Sequence, residues 1–258
     1  MNGRETRLAR MNLVADQLIR HLEAMAENGR THVFLDEEAK EGLRGLLRRR
    51  KQATPVAAEV IEAAPAVELA ATSDSKPERL ASLRKQAETW APARQLGTLR
   101  ETMVFAVGNP DARLMLVGEA PGYEEEKRRE PFVGPAGKKL DDILKAMGLA
   151  RNEVYISNIV KFRPATKNQT TNNRKPSREE MDACLPFVMG EIGIVKPACI
   201  VALGGTAAEG LLGLSGTVGS MRGTWHEVEG IPTRVTYHPS YLLQSGSSHA
   251  IKRQLWED

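Results

Sequence analysis

The stretch Leu114-Met115-Leu116-Val117-Gly118-Glu119-Ala120-Pro121-Gly122 constrains the fold most. Four consecutive apolar residues, too few for a helix, predict a strand buried on both faces. The turn behind it ends the strand. Gly118 and Gly122 accept backbone angles that other residues resist, and Pro121 fixes its φ and lacks a donor. A buried strand that ends this way sets a loop at the carboxyl edge of a sheet, where open α/β folds bind ligands. Glu119 is the one charge in the turn. On these nine residues alone, an ordinary turn with a solvated Glu is the better reading, because Gly-Pro turns are common.

The same alternation continues downstream. The pattern predicts helix Arg79–Thr89, strand Leu114–Val117, helix Gly137–Met147, strand Val154–Ile159 and helix Arg178–Lys196. Strand Cys199–Leu203, helix Thr206–Leu212, strand Thr233–Tyr237 and a weak helix from Ser240 follow. Such an order argues an α/β fold, a parallel sheet covered by helices on both faces. A 41% hydrophobic content supports a real core. Two cysteines, Cys184 and Cys199, are too few for a disulfide framework, so a cytoplasmic enzyme is expected. No apolar run nears the roughly 18 residues of a membrane span. A net charge of +3 is compatible with a polyanionic partner without requiring one.

Residues 1–51 read as a helical extension. Leu8, Met11, Ala15, Leu18, Ile19, Leu22 and Met25 share one helical face, and Leu43, Leu46 and Leu47 mark a second helix. Residues 52–77 are rich in Ala, Pro, Glu, Ser and Thr without a period, as in a linker. Residues 78–258 form the compact domain.

In a parallel sheet the four strand ends share one rim. They carry Glu119, Asn158, Lys161, Arg163, the Gly204-Gly205 helix start and His238. Acid/base groups, an amide and a helix N-terminus able to hold phosphate suit a nucleotide-type ligand.

Here the sequence resembles the uracil-DNA glycosylase superfamily, family 4 above all. The residues that carry the resemblance run in that family's order. They include Gly118-Glu119-Ala120-Pro121-Gly122, Pro131-Phe132-Val133-Gly134, Asn158, Val160-Lys161, Arg163-Pro164 and His238-Pro239-Ser240-Tyr241-Leu242-Leu243. The resemblance covers roughly Leu80 to Leu243.

It implies a three-layer α/β/α sandwich with a central parallel sheet and hydrolysis of the uracil N-glycosidic bond in DNA after base flipping. Glu119 resembles the acid near the sugar and the attacking water, and Ala120 would offer its N–H to a uracil oxygen. Phe132 resembles the aromatic that stacks on uracil. Asn158 resembles the amide that reads its edge, and Glu125 stands where the thymine methyl is excluded. With Glu124 and Glu126 beside it, solvated charge reads Glu125 equally well. His238 resembles the donor to O2. DNA contacts would fall to Lys161, Arg163, Gly205, Thr206 and Ser240. Leu242 would fill the hole left by the flipped base, or lie in a helix core.

Two departures stand out. Family 4 members carry an iron–sulfur cluster on four cysteines, and this chain has Ala91, Arg94 and Phe162 at three of those positions. Only Cys184 stays, so no cofactor is expected, with packing in the cluster's place. The insert Thr166–Lys175 has no His, unlike relatives that trap the sugar covalently. The resulting expectation is a monomeric, metal-free, monofunctional uracil-DNA glycosylase acting on uracil-containing DNA, with no membrane partner. A glycosylase for another deaminated base and an inactive nucleic-acid-binding paralogue are the alternatives.

Overall fold

The computed structural model describes residues 75–244 and 249–258. The two helices expected before residue 51 and most of the linker lie outside them. Helix α1 (Lys76–Glu88) begins two residues before the expected domain start, with Pro77 in its first turn. Pro is favoured there because its missing N–H would have no partner. The short α2 (Ala91–Gln95) follows.

Six strands form the main sheet. They are β2 (Val107–Gly108), β3 (Leu114–Gly118), β4 (Tyr155–Asn158), β6 (Cys199–Leu203), β7 (Trp225–Val228) and β8 (Ile231–Thr236). Their order is β2-β4-β3-β6-β8-β7. The inner four, β4, β3, β6 and β8, run parallel and are the four predicted strands. The outer two pair antiparallel to them. A separate ribbon joins β1 (Leu99–Met103) to β5 (Phe162–Pro164).

Side-chain alternation builds the layers. Met115 and Val117 of β3 join the cluster that holds Phe187 and Val188 of α5 (Arg178–Val195). Leu116 points the other way, onto Leu140 and Leu144 of α4 (Pro135–Ala146). A strand buried on both faces lies between helical layers, as the apolar run predicted. Trp90 anchors the α1–α2 corner. Its Nε1–H donates to the Ala183 carbonyl at 2.8 Å, and its ring meets Phe187 edge-on at 5.0 Å. An edge-to-face pair of this kind adds about 1 kcal/mol to the burial itself.

The parallel register brings the strand ends level. Gly118 lies opposite Asn158, and Leu203 opposite Thr236. The pairing runs on past the strands: Ile159 N–H donates to Gly118 O, Val160 N–H to Glu119 O and Gly204 N–H to Thr236 O. The loops that carry Glu119, Asn158, Gly204 and His238 therefore leave the sheet at one height.

Candidate active site

A cavity of about 290 Å³ opens at that rim. Its walls include Glu119, Ala120, Glu125, Phe132, Asn158, Asn173, Gly205, His238 and Ser240. The structure thus brings together both predicted catalytic residues and all four predicted base-binding ones.

The Phe132 turn is built under constraint. Phe132 has φ 55°, a left-handed angle that bulky residues rarely hold. Two glycines allow it. A Cβ on Gly118 would stand 2.5 Å from both the Phe132 ring and Asn158 Oδ1, and one on Gly137 1.8 Å from the Phe132 carbonyl oxygen. Glu125, in α3 (Tyr123–Arg128), pins the turn. Its carboxylate accepts from the N–H groups of Gly122, Val133 and Gly134 at 3.2, 3.1 and 2.8 Å. Glu125 is a cavity wall and a brace rather than a solvated charge.

Asn158 ends β4 and is buried, yet no described residue hydrogen-bonds its carboxamide. Asn158 lines the cavity, so its amide is open there to a ligand. His238 is half-buried, and the desolvation of its ring lowers its pKa to about 4 and leaves it neutral at pH 7. Ser240 brings its Oγ to 2.7 Å and its N–H to 3.2 Å of His238 Nδ1. A nitrogen approached by a backbone N–H is an acceptor, so the ring proton sits on Nε2. The imidazole lies 5.6 Å from the Phe132 ring, centroid to centroid. Glu119 accepts a hydrogen bond from Thr206 Oγ1. Burial raises the Glu119 pKa, while Thr206 and, more weakly, Lys175 lower it.

The predicted DNA-contact group is largely redirected. Lys161 is fully buried, with its Nζ 2.8 Å from Glu191 Oε1 and 2.6 Å from Ser157 Oγ. It is out of reach of a phosphate. Arg163 is also buried and donates to Asn173 Oδ1, Glu126 Oε2, Thr170 O and Asn172 O. It fastens the insert from within. Thr206 and Ser240 spend their hydroxyls on Glu119 and His238, and Gly205 lines the cavity. With the Glu119 carboxylate bound beside it, the start of α6 (Gly205–Leu212) already faces an anion. Leu242 in α7 (Tyr241–Gln244) is buried, while Tyr241 and Leu243 beside it are exposed.

Asn173 escaped the sequence reading. The polar insert gave no period to place it, and only the Arg163 clamp returns it to the cavity. Arg174, its neighbour, also lines the wall, bound to Glu180 and to the carbonyls of Ala165 and Thr98.

The place of the cluster does not fit one. Arg94 stacks over the Phe162 ring, 5.0 Å from its centroid, and Phe162 is fully buried. Cys184 is buried in α5, and burial pushes its thiol up to about 11, far from the thiolate that binds iron. Cys199 opens β6 and is half-buried. Among the described residues no group of three or more His, Cys, Asp or Glu is arranged to hold a metal ion.

Residues 105–258 match a family model described as the uracil DNA glycosylase superfamily. The chain belongs to the uracil DNA glycosylase superfamily. The type-4 uracil-DNA glycosylase of Thermotoga maritima is 41% identical over 163 residues, 62% of this chain and 80% of that protein. The type-4 enzyme of Pyrobaculum aerophilum is 39% identical over 153 residues, 56% and 75%. That of Archaeoglobus fulgidus is 39% identical over 148 residues, 54% and 71%. The family-4 resemblance read from the motifs is borne out, as is the α/β sandwich.

Proposed function

We propose that the chain is a DNA-repair hydrolase that removes uracil from DNA as a base-flipping glycosylase, without an iron–sulfur cluster. The observation that carries this reading is the unbonded Asn158 carboxamide, buried beside Phe132 and the neutral His238. A flipped uracil stacks on Phe132. Asn158 donates from Nδ2 to O4 and accepts from N3–H at Oδ1, and cytosine presents the reverse pattern and is refused. Ala120 N–H meets the other side of the base, and the braced Glu125 closes the wall against a C5 methyl.

The bond between N1 and C1′ breaks with its electron pair on the base. Negative charge reaches O2, where His238 Nε2–H donates, and that contact strengthens as the charge develops. A neutral imidazole suits this role because it does so without giving up its proton. Positive charge forms on the sugar, next to the Glu119 carboxylate. Glu119 orients a water that adds its oxygen to C1′ and takes up the proton which that water loses; the base leaves as uracilate, and an abasic site and, once solvent protonates the base, uracil result.

The DNA strand meets the exposed Tyr241 and Leu243. Arg94 and Phe162 fill the cluster's place by packing. No described helix is long and apolar enough to cross a membrane. A cytoplasmic monomer with an accessory N-terminal segment fits this reading.

Single-turnover assays on oligonucleotides that contain uracil, hypoxanthine or xanthine test it. Uracil excision alone is expected. Excision of a purine lesion instead favours a glycosylase for another base, and no excision at all favours an inactive paralogue.

A further inference from the structure

We propose that Thr206 is a positioning residue for the reaction, its hydroxyl fixing the Glu119 carboxylate in one orientation and in its anionic form. The proposal rests on the reading of Glu119 given above.

The geometry is specific. Thr206 follows the first residue of α6, directly behind β6, and donates from Oγ1 to Glu119 Oε2. It is buried, so water does not compete for that bond. With Oε2 held, Oε1 is the oxygen left to accept from a water. A carboxylate that can rotate loses that alignment, and alignment of the nucleophile is a large part of rate.

The same bond acts on charge. Burial favours protonated Glu119, and a protonated carboxyl neither orients water nor answers the sugar cation. Thr206 opposes burial most strongly. Lys175 helps less, and its Nζ is shared with Glu209 of α6 at 3.1 Å. The other charged groups on the cavity wall have partners. Glu125 accepts three backbone N–H groups, Arg174 is held by Glu180, and His238 is neutral above about pH 4.

The test is single-turnover uracil excision from pH 5 to 9 by wild type, Thr206→Val, Thr206→Ser and Glu119→Gln. Loss of the donor raises the Glu119 pKa, so the acid limb of the Thr206→Val profile should move to higher pH. A shift on the order of one pH unit matches one hydrogen bond to a charged group. At a pH below the limb the variant is then on the order of tenfold slower than wild type, and near pH 9 within a few-fold. Thr206→Ser keeps the hydroxyl and should keep the wild-type profile. A Thr206→Val profile that superimposes on wild type, or lies below it by one factor at every pH, overturns the proposal.

If Thr206→Val does not fold, Thr206→Ala carries the same comparison. If only Thr206→Ser folds, the role is structural and the proposal fails. Glu119→Gln separates the two readings. Wild-type rates in that variant sink the assignment of Glu119 itself. A slow, pH-independent Glu119→Gln beside an unshifted Thr206→Val sinks the Thr206 inference alone.

Discussion

At the scale of single residues, burial decides which charged groups reach the ligand. Lys161 looks like a phosphate holder in the sequence, but it is sealed against Glu191 and Ser157. Removing one partner of a buried pair strands the other, at about 3–5 kcal/mol. Lys161→Ala should therefore lower the urea midpoint steeply and leave the salt dependence of DNA binding unchanged. A shallower salt slope with intact stability would restore the phosphate role.

His238 carries a pH signature of its own. Its folded pKa is about 4, against about 6.5 in an unfolded chain. Below about pH 6.5 the unfolded chain takes up a proton that the desolvated ring refuses. Stability therefore falls as pH drops toward 4, by on the order of 3 kcal/mol for this group. Urea unfolding of wild type and His238→Gln across that range checks it, and the variant should lose less.

Glu119, Asn158 and His238 were legible because each sits at or directly behind the end of an inner strand, and Phe132 because Pro131 and Gly134 mark its turn. Lys161 was not, since a lysine after a strand reads the same whether it is solvated or buried. The clue was Glu191, a lone acid among apolar residues of a helix, thirty residues away.

At the scale of elements, the insert after β5 behaves as a clamped loop. Arg163 holds it from the sheet side and Arg174 from the α5 side, through Glu180. Glu180 also accepts from the Ser177 N–H at 2.7 Å, so one carboxylate caps α5 and anchors the loop. Arg163→Ala should expose the segment 165–175 to limited proteolysis and cut uracil excision several-fold, as Asn173 leaves the cavity wall. Unchanged cleavage by protease would show that Arg174 holds the loop alone.

The inner strands were visible as apolar runs. The outer ones were not. β2 has only two residues, and β7 carries an exposed Trp225 and Glu227 outward, so neither shows a run or a clear alternation. The ribbon β1–β5 is hidden for the same reason, since Arg100 and Glu101 face solvent.

At the scale of the molecule, a sheet with its strand ends level gathers the cavity walls at one rim. Three of the four ligand positions lack cysteine, so purified protein should be colourless and free of iron. Visible absorbance that disappears in Cys184→Ala would contradict this. The cavity draws every side chain from residue 119 onward. A chain that starts near Ser75 should thus fold and excise uracil from short oligonucleotides at close to the full-length rate. Loss of excision in a folded truncation would place part of the site before residue 75.

In the proposed reaction the decisive contact is the one by which His238 steadies the departing uracil through a neutral N–H. Its most direct test is single-turnover cleavage of a uracil-containing oligonucleotide by wild type and His238→Ala, beside binding of both to abasic DNA. The predicted result is cleavage slower by on the order of a hundredfold, from about 3 kcal/mol of lost transition-state stabilisation, with abasic binding nearly unchanged. Cleavage by His238→Ala at the wild-type rate would contradict it.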